Sequence, residues 1–147
     1  MKRLLILAIL SLSFSCNNLN VQRKNTERDK VEGEKVLNTY FDNLASNKRE
    51  DNLKLFSEVF FEKTPKDTFL KQDSIVGLKL GKIIERNLLK WETNIIEGRR
   101  AISEYVFIYD VKREKYNTKE TFYLIKEPTD SIRIHTYQVE SEGLLAE

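Results

Sequence analysis

The sequence predicts an α+β domain in which three N-terminal helices are followed by a four-stranded antiparallel meander sheet. Up to Gly81 the apolar residues recur at helical spacing. From Lys82 onwards the spacing falls to two, and β-branched and aromatic residues predominate. The segments of this second half are separated by short connectors, which favour antiparallel pairing of neighbouring strands. Helices followed by strands, without alternation, indicate the α+β class.

The first fifteen residues have the three parts of an export signal. Lys2 and Arg3 form a basic start, an apolar run extends from Leu4 to Leu12, and small residues precede Cys16. A helix that spans a bilayer needs roughly 20 apolar residues, and this run is about half that length. We therefore assign residues 1–15 to a signal peptide.

Cys16 is the only cysteine of the chain and follows the small residue Ser15. The stretch from Leu12 to Cys16 resembles a relaxed lipobox of bacterial lipoproteins, with Ser13 three places before the cysteine. The resemblance implies a diacylglyceryl group on the Cys16 sulfur, cleavage before this residue, and a further acyl chain such as palmitate on the new amino terminus. The alternative is an ordinary secretory signal followed by a chance cysteine.

Removing the signal peptide leaves a chain of balanced charge. Lys2 and Arg3 are two of the 25 basic residues, so 23 remain, which equals the number of acidic residues. A chain without excess positive charge, exported from the cytoplasm, has no support as a nucleic-acid-binding protein. We expect residues 16–26 to be a lipidated cysteine with a flexible tether, residues 27–142 a single domain, and residues 143–147 a C-terminal tail.

The first helix is predicted to begin after Thr26, with Asp29 three residues later completing a cap. Its buried face is marked by Val31, Leu37, Tyr40, Phe41 and Leu44. A shorter helix is expected over residues 50–58, followed by a single short strand at Val59–Phe61. The sequence Thr64-Pro65-Lys66-Asp67 indicates the start of the third helix, with Thr64 as cap and Pro65 at the first helical position. Gly81 is its expected end.

Four strands are predicted over residues 83–97, 100–113, 119–126 and 131–141. On the second strand, Tyr105, Phe107, Tyr109 and Val111 share one side. The other side combines Ile102, Val106 and Ile108 with Glu104 and Asp110. In a sheet with one solvent-exposed face, apolar and polar residues should alternate along each strand. Either the rest of the chain covers both faces, or one face meets another protein.

This order of elements, with the third-helix start at Thr64 and the Leu80-Gly81-Lys82 segment, resembles small bacterial proteins of the nuclear-transport-factor-2-like superfamily. The resemblance implies a cone-like roll in which the curved sheet wraps over the helices. It also implies a conical pocket between helix and sheet, and dimerisation through the outer sheet face.

Several strand residues are candidates for a pocket or an interface. Aromatic walls with a few polar groups are typical of small-molecule sites, and the same residues serve equally as core. The candidates are Trp91, Tyr105, Phe107, Tyr109, Tyr123, His135 and Tyr137. His135 is the only histidine, and the superfamily resemblance implies an acid partner for it, Glu104 or Asp110, in a catalytic pair. The alternative is a histidine at a surface or interface.

We predict no metal site and no cofactor, because one histidine and scattered carboxylates do not supply converging ligands. The function that the sequence favours is that of a non-enzymatic envelope lipoprotein anchored by its lipid. We expect the anchor to lie in the outer membrane rather than in the inner one. The lipoprotein would bind an envelope protein, a second copy of itself or a small ligand through the sheet face or the cone pocket. The alternatives are a periplasmic immunity protein and a small-pocket isomerase, dehydratase or hydrolase that uses His135.

Overall fold

Helices pack against one five-stranded antiparallel sheet in the computed structural model, which describes residues 21–98 and 101–145. The strands follow one another in chain order across the sheet. They are β1 Val21–Lys24, β2 Ile83–Glu97, β3 Ile102–Arg113, β4 Thr118–Lys126 and β5 Ile132–Glu140. The predicted α+β class and the antiparallel meander are confirmed, but the number of strands is five rather than four.

The additional strand, β1, lies within the segment that the sequence predicts to be a tether. It pairs antiparallel with the end of β2, with Val21 opposite Glu97 and Lys24 opposite Asn94. Its four residues show no alternation of apolar and polar types, and its stability comes from backbone hydrogen bonds to the otherwise unpaired edge of β2. Within the described residues, the first strand therefore begins at Val21.

The first helix, α1, covers Glu27–Ala45 and begins as the sequence predicts. The Thr26 hydroxyl accepts a hydrogen bond from the Asp29 backbone N–H at 3.3 Å. The Asp29 carboxylate in turn accepts from the Thr26 hydroxyl and from Arg23. Burial alone would raise the Asp29 pKa, but these hydrogen bonds outweigh it and lower the pKa below its usual value.

The segment between α1 and the third helix differs from the prediction. Arg49–Leu55 forms a 3₁₀-helix, and α2 covers Glu58–Lys63. The prediction of a strand at Val59–Phe61 is wrong, because these residues lie inside α2. The Ser57 hydroxyl caps this helix by accepting from the Phe60 backbone N–H. A three-residue apolar run has no period that separates helix from strand.

The last helix, α3, covers Lys66–Leu80. Thr64 terminates α2 instead of capping α3, and Pro65 precedes the first helical residue. The predicted end at Gly81 is confirmed: this glycine adopts a φ of +82°, which other residues rarely tolerate, and the chain turns there into β2.

The core lies between α1 and the inner face of the sheet. The side of β3 that carries Tyr105, Phe107, Tyr109 and Val111 is buried, whereas Ile102 on the other side is 43% exposed. Gly33 allows α1 to approach this face, because a Cβ there would lie 2.6 Å from the Phe107 ring. Within residues 21–98 and 101–145, no helix is long and apolar enough to span a membrane.

Candidate functional site

A pocket of about 390 Å³ lies where the end of α1, the end of α3 and the start of β2 meet. Its apolar lining comes from Phe41, Leu44, Ala45, Ile83 and Ile84. Four cationic side chains also line it: Arg49, Lys82, Arg86 and Arg113. Only two lining residues are acidic, Asp42 and Glu85. The pocket lining therefore combines apolar side chains with four cationic ones.

Arg49 enters the pocket from the 3₁₀-helix and is held by α3. Its Nη1 donates to the backbone carbonyl of Asp73 at 3.3 Å and to the Asp73 carboxylate. Gly77, one turn further along α3, makes room for the guanidinium group, because a Cβ there would lie 2.7 Å from Arg49 Nη2. Burial raises the pKa of Asp73, although Arg49 acts in the opposite direction.

Arg113 is the most deeply buried cation of the lining, with 5% of its side chain exposed. Its Nη2 donates to Glu120 Oε1 at 2.6 Å, its Nε to the Thr118 hydroxyl, and its Nη1 to the Gly81 carbonyl. Burial alone would lower the pKa of the guanidinium group, but the Glu120 carboxylate outweighs it and raises the pKa. Arg113 is thus a fixed, fully charged group.

Behind Arg113, Glu120 is the centre of a buried polar cluster. Its Oε1 accepts from Thr118 at 2.8 Å in addition to Arg113, and its Oε2 accepts from the Tyr137 hydroxyl at 2.8 Å. The Tyr137 ring packs edge-on against the Tyr40 ring, with 5.5 Å between the ring centres. Among the described residues, the Tyr40 hydroxyl forms no hydrogen bond of good geometry. We call Arg113, Thr118, Glu120, Tyr137 and Tyr40 the Glu120 cluster.

Both tyrosines of the Glu120 cluster are held in their neutral form. Burial raises the pKa of Tyr40 well above its ordinary value, and the charges of Asp73 and Glu120 add to this effect. Burial also raises the pKa of Tyr137, again with a contribution from Glu120. The neutral Tyr137 hydroxyl donates to the Glu120 carboxylate, which in turn holds Arg113 in the pocket wall.

Arg86 forms another side of the pocket. Its guanidinium group lies 4.6 Å from the centre of the Phe41 ring, and its Nη2 donates to the Asn38 side chain at 2.9 Å. A guanidinium group over an aromatic face is attracted by the ring quadrupole. Arg86 therefore keeps its charge at the pocket while its planar group covers part of the apolar wall.

None of the seven aromatic and histidine residues predicted as pocket or interface candidates lines this pocket. Tyr105, Phe107 and Tyr109 are core residues, and Tyr105 also borders a second pocket at the other end of β2. Trp91 packs against the core at its margin, with Lys30 over its ring. Tyr137 belongs to the Glu120 cluster, whereas Tyr123 lies on the outer sheet face and is 42% exposed.

His135 lies at an irregularity of β5, where the pairing with β4 shifts its register. Its Nδ1 lies 3.3 Å from the Ser57 hydroxyl. In the part of the chain that the structure describes, no carboxylate forms an ion pair with His135. Glu104 and Asp110 belong to β3, which β4 separates from β5, and both are exposed. The structure therefore does not bring this predicted pair together.

Two further sequence predictions concern residues at the chain start and metal binding. The signal peptide and Cys16 lie outside the described residues. Over residues 21–98 and 101–145, no group of three or more histidine, cysteine, aspartate or glutamate side chains is arranged to hold a metal ion.

Comparison with known proteins gives no relative for this chain: no protein family profile, no curated protein and no solved structure matches it.

The alternation of buried and exposed positions along β3 and β4 indicates the Glu120 cluster. Arg113 continues the series Tyr109, Val111 on the buried side of β3, and Glu120 precedes Phe122 on the buried side of β4. A charged residue in a buried register of a strand indicates a paired partner. Arg49 has no such signal, because it follows the irregular end of α1.

Proposed function

We propose that this chain is a lipid-anchored protein of the cell envelope that binds a small ligand in the pocket between α1, α3 and β2. The lipid would be carried by Cys16, after cleavage of residues 1–15. The export signal and the relaxed lipobox support the anchor. The order of helices before a meander supports the further proposal that the sheet and helices form a cone-like roll of the nuclear-transport-factor-2-like type.

One observation carries the binding proposal: the pocket combines apolar side chains with guanidinium groups that are fixed by buried partners. Pockets of about 300–1,000 Å³ with mainly apolar walls and a few placed polar groups are typical of small-molecule sites. Arginine stays protonated in proteins, so Arg49 and Arg113 can bind an anionic group of a ligand but cannot accept a proton from it. These groups favour binding over acid–base catalysis.

The anchor is tested by the intact mass of the membrane form and by a Cys16→Ser variant. We expect the wild-type mass to equal that of the chain from Cys16 with its acyl groups, and labelled palmitate to be incorporated. The variant should retain the signal peptide and incorporate no palmitate, because a serine hydroxyl does not replace the thiolate as nucleophile. A wild-type mass equal to the uncut chain, or to the cut chain without lipid, would contradict the proposal.

A further inference from the structure

We propose that the pocket selects a small carboxylate with an apolar body, whose carboxylate is bound between Arg49 and Arg113. This inference rests on the proposed function, namely that the pocket is a binding site, and adds the chemical class of its ligand.

Arg49 retains donors for such a ligand. Only its Nη1 is used, by the carbonyl and carboxylate of Asp73. For the Nε and Nη2 groups, the described residues provide no acceptor, and about a third of the side chain is exposed. Because Arg49 is fixed on one side and open on the other, little conformational entropy is lost when its remaining N–H groups bind an anion.

Arg113 is fixed even more firmly. Its bonds to Gly81, Thr118 and Glu120 use three of the five N–H groups that a guanidinium carries. The two remaining hydrogens have no acceptor among the described residues. Arg49 and Arg113 both line the pocket and both keep N–H groups without an acceptor, which matches the bidentate way in which arginine binds carboxylates.

The cations of the lining point to the same ligand class. Lys82 and Arg86 form no ion pair among the described residues, and low-dielectric walls strengthen their attraction for an anion. Asp73 and Glu120 offset the charges of Arg49 and Arg113, so these two arginines act through their open N–H groups. The apolar residues Phe41, Leu44 and Ile83 would contact the uncharged body of the ligand. A fully hydrated ion such as inorganic phosphate would leave these walls unused, so a carboxylate with an apolar body fits better.

The test compares 3-phenylpropanoate with 3-phenylpropan-1-ol, which has the same body without the charge. Both are titrated by calorimetry into the lipid-modified protein in nanodiscs, with empty nanodiscs as the blank. We expect the carboxylate to bind about tenfold or more tightly than the alcohol, since a hydrogen bond to a charged group is worth at least this factor. Inorganic phosphate should not compete at equal concentration.

Variants locate the binding. Arg49→Gln should weaken carboxylate binding about tenfold and leave alcohol binding unchanged. Arg28→Gln is the matched control, because this exposed arginine of α1 does not line the pocket. Ile84 borders the pocket and is 60% exposed, so its substitutions should not impair folding. Ile84→Lys should strengthen carboxylate binding and Ile84→Asp should weaken it, whereas both should affect the alcohol equally.

The alcohol distinguishes failure of this inference from failure of the proposed function. If the alcohol binds as tightly as the carboxylate, or if both Ile84 variants change carboxylate binding in the same direction, the ligand class is wrong and the pocket remains a binding site. The same holds if phosphate displaces the carboxylate. If neither organic compound binds, this inference and the proposed ligand-binding function are both overturned.

Discussion

Replacing Glu120 by glutamine removes the counter-charge of a buried arginine while changing the side-chain shape very little. Glu120 is fully buried and accepts hydrogen bonds from Arg113, Thr118 and Tyr137. The glutamine oxygen can still accept from Arg113 and Thr118, so the main loss is the negative charge. Arg113, with 5% of its side chain exposed, cannot turn towards water to recover solvation.

Removing one partner of a buried ion pair costs about 3–5 kcal/mol, because the remaining charge is left uncompensated. For a domain of this size, each kcal/mol corresponds to roughly 3–5 °C in melting temperature. We therefore expect Glu120→Gln to lower the melting temperature by about 10–20 °C. The combined Arg113→Met and Glu120→Leu variant should recover most of this loss, since neither charge remains.

The measurement is thermal and urea unfolding followed by circular dichroism. Glu92→Gln provides a matched control: Lys90 and Glu92 have the same N–O distance of 2.6 Å as the buried pair, but both side chains are more than half exposed. Solvent screens this pair, so its loss should leave the melting temperature essentially unchanged. A Glu120→Gln loss below about 1 kcal/mol would refute the claim that Arg113 depends on a buried counter-charge.

Two further predictions concern the helices. Gly33→Ala should destabilise the protein by about 1–3 kcal/mol, because its Cβ would overlap the buried Phe107 ring. Gly77→Ala should lower the free energy of unfolding by less, since its Cβ would meet the partly exposed Nη2 end of Arg49 rather than a buried ring; equal losses would contradict this account. The raised pKa of Asp73 means that the folded state binds this proton more tightly than the unfolded state, so stability should fall as the pH rises above the ordinary value of 3.8. Asp73→Asn should remove this part of the fall in urea midpoint above about pH 4, and an unchanged slope in this variant would show that another group is responsible.

The sequence predicts the four long strands to within about two residues, because alternation and short polar connectors both mark their limits. It does not predict β1, since these four residues carry no pattern and are ordered by backbone pairing with a strand 70 residues away. The apolar run at Val59–Phe61 is compatible with a helix and with a strand, and the cap formed by Ser57 stabilises the helix. Local pattern thus decides the long elements, whereas a distant strand decides β1 and a local cap decides α2.

The pocket is harder to predict than the strands because its charged groups come from distant segments. Arg49 follows α1, whereas Arg113 ends β3, and neither has a neighbour in sequence that indicates a binding role. Aromatic content points instead to Tyr105, Phe107 and Tyr109, whose rings fill the core. In this chain the apolar residues build the interior, and the paired cations distinguish the candidate site.

The two ends of β2 have different surroundings, and this separates the proposed pocket from the start of the described chain. β1 joins the Glu97 end, whereas the pocket lies at the Ile83 end. Over fifteen residues a strand extends for at most roughly 50 Å. Val21 is five residues after Cys16, a span of at most about 18 Å. If the chain is attached to a bilayer at Cys16, as proposed, Val21 stays within this distance of the attachment point, and the proposed pocket lies at the opposite end of β2 from the anchored side.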